Sequence, residues 1–189
     1  NVFAIELKEN VQAIDENTAW VLMLNLPEQD RNKVFKTSDG GANWTEQTGE
    51  FNEAGYTAHS MHFFNENEGL SFGSSGTGVA SIDRVQVFKT VDGGSTWDRT
   101  PDAVLPEILP GEDSWLYAGN GSYEEKGDTL WFLSGAGRTF RTIDKGTTWE
   151  AFDTGINTGY PSSIAFEDAQ NGIAVGAQPN RAARTTDGG

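Results

Sequence analysis

The 189 residues carry 13 Lys and Arg against 28 Asp and Glu, a net charge of −15, with 23 Gly, 6 Trp and no Cys. A pI near 4.3 reverses the attraction that draws proteins to phosphate backbones and anionic membranes, so nucleic acid is a poor partner candidate. The lack of Cys removes disulfides, thiolate nucleophiles, Fe–S clusters and Cys-type zinc sites, and the longest apolar run, Trp20 to Leu24, is strand-sized, so membrane insertion is not expected.

In chain order, short apolar runs broken by turn residues predict strands near 10–15, 19–25, 33–37 and 43–47, then near 59–64, 69–73, 85–90 and 96–100. A third group follows near 118–123, 129–134, 138–142 and 148–152, and a last near 162–166, 172–176 and 182–185. No window of a dozen residues keeps helical apolar spacing, so the chain reads as all-β.

These groups repeat. Thr37-Ser38-Asp39-Gly40-Gly41-Ala42-Asn43-Trp44 recurs from Thr90 to Trp97, from Thr142 to Trp149 and, in part, from Thr185 to Gly189. Asp39, Asp92, Asp144 and Asp187 are spaced 53, 52 and 43 residues apart, each with a basic residue three positions earlier: Lys36, Lys89, Arg141 and Arg184. A second element recurs in phase: an apolar run, a polar turn, a small residue and another apolar run at 13–21, 63–73 and 165–176, more loosely at 123–132. The period is that of a four-stranded propeller blade, giving blades near 10–50, 56–101, 118–153 and 161–189 in one propeller domain over 1–189. The fourth lacks its outer strand, so the chain is expected to continue into a propeller of about six to eight blades; the competing possibility is a four-bladed ring closed by Val2–Leu7.

Asp, one residue and then Gly between two strands predicts a reversal needing positive φ. The Asp carboxylate is placed to accept backbone N–H groups, the Thr hydroxyl to join it, and the Trp to lie over the turn. Four copies at blade spacing argue for a structural clasp, since an active site is built once. The residues so assigned are Asp39, Gly41, Trp44, Asp92, Gly94, Trp97, Asp144, Gly146, Trp149, Asp187 and Gly189.

The motif Thr-x-Asp-x-Gly-x-(Thr/Asn)-Trp resembles the Asp-box, or bacterial neuraminidase repeat, of β-propellers such as sialidases, other glycoside hydrolases, sortilin-type receptors and photosystem II assembly propellers. The resemblance runs from about residue 10 to 189. It implies four-stranded antiparallel blades with the Asp-box turn between strands three and four, and ligands on the opposite face.

A sialidase would need three converging arginines, a Tyr nucleophile with a Glu partner, a general acid and an Arg-Ile-Pro motif. The last is missing. Arg31, Arg84, Arg138 and Arg181 precede the third strands at matching parity and could converge on an anionic ligand; the simpler expectation is solvated charges or ion pairs with Glu28, Asp30 and Asp83. Tyr123 and Glu124, adjacent on a strand, face opposite sides. His59 and His62 are not expected to share a metal, and Gly73–Gly78 lacks the Lys and helix of a phosphate loop. No metal, cofactor or catalytic residue is assigned.

Partner contacts are expected on connections 25–32, 52–58, 73–84, 101–117, 135–138, 153–161 and 177–181. The long, proline-stiffened 101–117 stands out: Val104, Leu105, Ile108 and Leu109 either carry recognition or cover a neighbouring blade, and Trp115 and Tyr117 could stack on a sugar or peptide. The expected function is a non-catalytic binding or scaffold propeller for protein, peptide or glycan, secreted or on a bacterial cell surface, the periplasm included, with further domains in the polypeptide. The alternative is a sialidase-like glycoside hydrolase with catalytic residues partly outside the chain; a photosystem assembly chaperone comes third.

Overall fold

The computed structural model describes residues 7–24, 32–47, 56–75, 84–109, 112, 123–156, 161–176 and 182–189. Their regular elements are fifteen strands, with no helix among the described residues. The first sheet runs in the order β1 (Leu7–Ala13), β2 (Ala19–Leu24), β3 (Asn32–Thr37), β4 (Thr45–Gln47). The second runs β5 (Tyr56–Phe63), β6 (Gly69–Ser75), β7 (Arg84–Thr90), β8 (Asp98–Arg99). The third consists of β9 (Tyr123–Lys126), β10 (Thr129–Leu133), β11 (Arg138–Thr142) and β12 (Glu150–Asp153), and the fourth of β13 (Pro161–Phe166), β14 (Gly172–Gly176) and β15 (Ala182–Thr185). Each registered pair is antiparallel and sequential, a meander of short hairpins. The chain divides into two compact units, residues 1–81 with 86–100 and residues 82–85 with 101–189.

Several expected boundaries move: the first strands of the first two sheets, expected at 10–15 and 59–64, run Leu7–Ala13 and Tyr56–Phe63. The outer strands begin after the Trp, at Thr45, Asp98 and Glu150, two residues later than expected, because the amides of Asn43, Thr96 and Thr148 are spent on the preceding Asp carboxylate. A strand is found at 123–126, where Lys126 pairs directly with Thr129 across a tight turn, so Glu124 and Glu125, beyond the end of the strand expected at 118–123, lie within it. Residues 118–122 lie outside the described residues. Leu7, assigned to a possible closing strand, pairs with Leu24 of β2; 2–6 lie outside the described residues.

In the first unit two sheets pack through one joint. Trp20 of β2 is fully buried and stacks on Phe63 of β5, ring centroids 3.8 Å apart and 9° from parallel. Its Nε1 donates to the Gly93 carbonyl at 2.8 Å, while Gln12 Nε2 donates to the Phe63 carbonyl at 2.9 Å and the Phe63 amide donates to Gln12 Oε1 at 2.6 Å. Lys36 Nζ lies 5.0 Å from the Trp20 ring and 3.4 Å from the Glu66 carbonyl. The second unit repeats the joint. Trp131 of β10 stacks on Phe166 of β13 at 4.0 Å and 10°, its Nε1 donating to the Gly188 carbonyl at 2.9 Å, and Arg141 Nη1 donates to the Asp187 carbonyl at 3.3 Å. The basic residue three before each Asp is thus, at Lys36 and Arg141, a tie to the following sheet.

The small residue of the second repeat has the same cause. A Cβ on Gly69 would come 2.7 Å from the Phe63 ring, and one on Gly172 2.5 Å from the Phe166 ring, far inside van der Waals contact. The first sheet has Ala13 in place of that Phe and tolerates Ala19.

Trp20→Phe or Trp131→Phe keeps an aromatic stack but strips the Gly93 or Gly188 carbonyl of its indole donor. Each is expected to cost roughly 1–3 kcal/mol, and Trp20→Ala or Trp131→Ala roughly 3–5 kcal/mol. Urea unfolding midpoints measure this, and a Phe variant as stable as the parent would refute the bond's contribution.

Candidate functional site

The repeated turn has one geometry. The Thr hydroxyl donates to the Asp carboxylate in all four copies, at 2.8 Å for Thr37–Asp39, 2.9 Å for Thr90–Asp92, 2.9 Å for Thr142–Asp144 and 2.7 Å for Thr185–Asp187. The same hydroxyl accepts the amide two residues beyond the Asp, at Gly41, Gly94, Gly146 and Gly189. In the first three copies the carboxylate also takes the amide and side chain of the residue at Asp+4: Asn43, Thr96 and Thr148. Positive φ falls on Asp+1 as well as Asp+2: Gly40 and Gly41, Gly93 and Gly94, then Lys145 at 55° with Gly146. Lys145 accepts the left-handed conformation that the other copies give to Gly.

The Asp+1 amide reaches back to the turn between strands one and two of its own sheet. Gly40 donates to the Asn17 carbonyl at 2.9 Å, Gly93 to Asn67 at 2.9 Å, Lys145 to Asp128 at 3.1 Å and Gly188 to Gln170 at 2.9 Å. Three of those partner turns are themselves capped by a side-chain oxygen accepting two amides: Asp15 from Asn17 and Thr18, Asn65 from Asn67 and Glu68, Asp168 from Gln170 and Asn171. The two sequence repeats run in phase because they touch. Trp44 Nε1 closes its turn on the Gly41 carbonyl at 3.1 Å, and Trp97 leans edge-on against Phe63, with centroids 5.7 Å apart.

These bonds set the titration of the acids. At Asp39 the Asn43 amide and side chain and the Thr37 hydroxyl hold the carboxyl below its ordinary value. Partial burial pushes Asp92 and Asp144 up, but donors led by Thr96 and Thr148 outweigh it. At Asp187 the Thr185 hydroxyl and Gly189 amide lower the value. Such acids are ionised at neutral pH with their lone pairs engaged, which suits a clasp and not a general acid. Among the described residues no three His, Asp or Glu side chains are grouped to hold a metal ion.

Arg138 opens β11 at the end of the third sheet opposite its repeated turn. Its guanidinium meets a partner that the sequence reading did not name. Glu112, whose side chain is fully buried, accepts Arg138 Nε at 2.8 Å, Ser134 Oγ at 2.7 Å, the Leu109 amide at 2.9 Å and, in a short contact, Arg138 Nη2. Arg138 Nη2 also donates to the Glu107 carbonyl at 2.8 Å, and the guanidinium lies 5.2 Å from the Phe140 ring centroid. Burial pushes the Glu112 carboxyl up, yet the bonds from Arg138, Ser134 and Leu109, with the Arg138 charge, hold it below its ordinary value. This knot ties Glu112 to Leu109 and β11; within 101–109, Leu105 is buried, Val104 and Ile108 half-buried, Leu109 exposed. No local motif marks Glu112 and Arg138 as partners; the one signal was an acid inside an apolar, proline-rich loop.

Of the other candidate contacts, Arg84 is the first residue of β7, whereas Arg31, Arg181, Trp115 and Tyr117 lie outside the described residues. Tyr123 and Glu124 pair with successive residues, Phe132 and Trp131, and so face opposite sides, with Glu124 bonded to Lys126 at 2.7 Å. His59 sits at a register shift between Ala58 and Ser60 and bonds Ser74 Oγ at 3.0 Å. His62 is buried, its Nδ1 3.3 Å from Gln12 Nε2, and burial pushes its pKa down to about 4.

Two stability predictions follow from these groups. The clasp carboxyls titrate lower folded than unfolded, so their contribution is full above the unfolded value near 4 and drains away as pH falls through the folded values. The His62 pKa is also depressed, so its penalty sets in below about pH 6.5 and grows until about pH 4. Melting temperatures should therefore fall in two stages; His62→Gln flattens the stage above pH 4 and Asp92→Asn weakens the one below. A parent melting temperature constant from pH 7 to 4 would contradict the His62 assignment. Separately, Arg138→Ala leaves a buried carboxylate without its counter-charge and should cost on the order of 3–5 kcal/mol, part of it recovered by adding Glu112→Gln. Chemical denaturation of the single and double variants checks this, and a lossless Arg138→Ala would refute it.

No protein-family model matches the chain, and no curated protein matches it. Solved structures do. A structure described as YCF48 bound to D1 peptide is similar with a TM-score of 0.58 and 19% identity, over 95% of this chain and 50% of its own. YCF48 from Cyanidioschyzon merolae gives a TM-score of 0.62 at 17% identity, over 100% of this chain and 56% of that one. The GH74 xyloglucanase from Xanthomonas campestris gives 0.63 at 14%, over 97% of this chain and 29% of that one. The chain therefore spans about half the length of the two YCF48 structures. At these identities the likeness is one of fold, and the fold is an all-β propeller of four-stranded antiparallel blades.

Proposed function

We propose that the chain is part of a non-catalytic propeller that binds or scaffolds an extended segment of another protein. The observation that carries this is its likeness, over 95% of its length, to a propeller described as bound to a peptide. The chemistry agrees: the four repeated carboxylates are engaged within their own turns, and the Arg138 guanidinium is engaged by Glu112. We assign the repeated turn to the Asp-box type and the partner to the blade ends opposite it, with Arg31, Arg84, Arg181, Trp115 and Tyr117 as contacts and a glycan as the lesser ligand class. Arg138 serves that face by holding Glu107 and Glu112, the latter bonded to the amide of Leu109, which is 44% exposed. An acidic, Cys-free chain suits a secreted or bacterial cell-surface protein with further domains.

A second reading, a glycoside hydrolase, draws on the fold likeness to the GH74 xyloglucanase. Its acids would have to come from residues other than the repeated ones. Titrating the chain with a panel of extended peptides and with sialyl and neutral oligosaccharides separates the two. Saturable peptide binding, weakened about tenfold by Leu109→Asp, is expected, with no oligosaccharide cleaved; turnover of any oligosaccharide would overturn the non-catalytic reading.

A further inference from the structure

One edge of the stretch before Glu112 is already paired, by side chains in place of a strand. Residues 106–109 run without turn or bend. The Glu107 carbonyl accepts Arg138 Nη2 at 2.8 Å, the Leu109 amide donates to Glu112 Oε2 at 2.9 Å, and the Leu109 carbonyl accepts the Glu112 amide at 2.9 Å. In an extended chain the N–H and C=O of alternate residues leave on the same side. These three groups therefore share one edge, and the Arg138 and Glu112 pair stands where a neighbouring strand would stand. The support is stiff, because Arg138 Nε and Nη2 grip both oxygens of a fully buried carboxylate that also accepts Ser134 Oγ at 2.7 Å.

Ile108, between the tied residues, turns its N–H and C=O to the opposite edge, and among the described residues neither group is hydrogen-bonded. Exposure alternates in step: Glu107 and Leu109 are exposed and Ile108 is half-buried. The outward face thus offers a carboxylate and an isobutyl group two residues apart, beside an open main-chain donor and acceptor. Arg138 and Glu112 satisfy each other's charge, so selection by charge falls to Glu107. All of these residues belong to one compact unit.

The geometry points to a strand-addition site on residues 107–109 for a separate extended peptide in which an apolar residue is followed two positions later by Arg or Lys. It rests on the peptide-binding reading above and names the kind of segment bound. The peptide pairs antiparallel, and its central residue exchanges both main-chain hydrogen bonds with Ile108. The residue before the centre covers Leu109 and the cation after it meets the Glu107 carboxylate, as cross-strand neighbours do. Main-chain bonds supply affinity, and the apolar and cationic pair supplies specificity.

The test uses the full 189-residue chain and a fluorescently labelled peptide, Ser-Thr-Leu-Thr-Arg-Thr-Ser, read by fluorescence anisotropy. Saturable one-to-one binding is expected. Methylating the amide nitrogen of the Thr between Leu and Arg removes the donor to the Ile108 carbonyl and should weaken binding about tenfold. Replacing the peptide's Arg by Glu should weaken it about fivefold, and the exposed Glu107→Lys should reverse that preference. The comparisons among peptides need no variant of the protein, so they decide the matter even if Glu107→Lys does not fold. Saturable binding that ignores both the methyl group and the charge overturns this site and leaves the broader peptide-binding reading standing. So does failure of this peptide at millimolar concentration while another extended peptide binds; if no extended peptide binds, both fall. A dimer of the chain that Glu107→Lys dissolves while the peptide fails to bind also overturns the site, making a second copy the occupant.

Discussion

One contact organises both compact units: a second-strand Trp laid flat on a first-strand Phe of the next blade, its Nε1–H donating to the carbonyl of the residue after the next Asp. A buried indole satisfies two demands at once, removing a large apolar area from water and providing a partner for a carbonyl that the turn leaves unpaired. The other recurrent choices follow. The turn must present that carbonyl at a fixed place, hence the left-handed pair after Asp; the Phe must lie flat, hence a residue without Cβ at Gly69 and Gly172. Gly93 meets both demands, since a Cβ there would strike the Lys36 Nζ at 2.6 Å and the Glu66 carbonyl at 2.7 Å.

The acidity has a comparable local cause. A charge of −15 would suggest a surface evolved to meet cations, yet a sizeable share of the acids is engaged by backbone amides. The clasps at Asp39, Asp92 and Asp144, the turn caps at Asp15 and Asp168 and the buried Glu112 each accept at least one main-chain N–H, while Asp187 accepts the Thr185 hydroxyl. A carboxylate is suited to such work because it accepts in several directions and stays ionised when its acceptors are filled. Part of the acidity therefore belongs to turn capping and carries no information about a ligand.

The fold was legible because its determinants are local and repeated. Asp, Gly, Thr and Trp at fixed offsets describe a turn whose bonds span four or five residues, and four copies at blade spacing identify the architecture without any long-range contact being known. What was not legible depended on contacts between distant segments. Glu112 and Arg138 lie 26 residues apart with no motif between them, so a guanidinium read as a rim contact is found tied to a buried acid. Likewise β9 contains Glu124 and Glu125, which look like turn residues until Lys126 and Thr129 are seen to close the hairpin.

The same distinction explains why function is harder to read than fold. In a propeller the repeated positions are those that each blade needs to stand against its neighbour, and selection for the joint writes them identically. A ligand site needs the copies to differ, since one molecule is gripped by several blades in different ways. The informative positions are therefore departures from the repeat: the proline-stiffened 101–109 stretch, the Ala13 and Ala19 pair where the second and fourth blades carry Phe and Gly, and Ala174 with Ala183 where the third blade places two Phe. Of these, residues 101–109 are tied through the buried Glu112 and Arg138 to the end of the third sheet opposite its repeated turn, where a departure from the repeat can meet a partner without disturbing a blade joint.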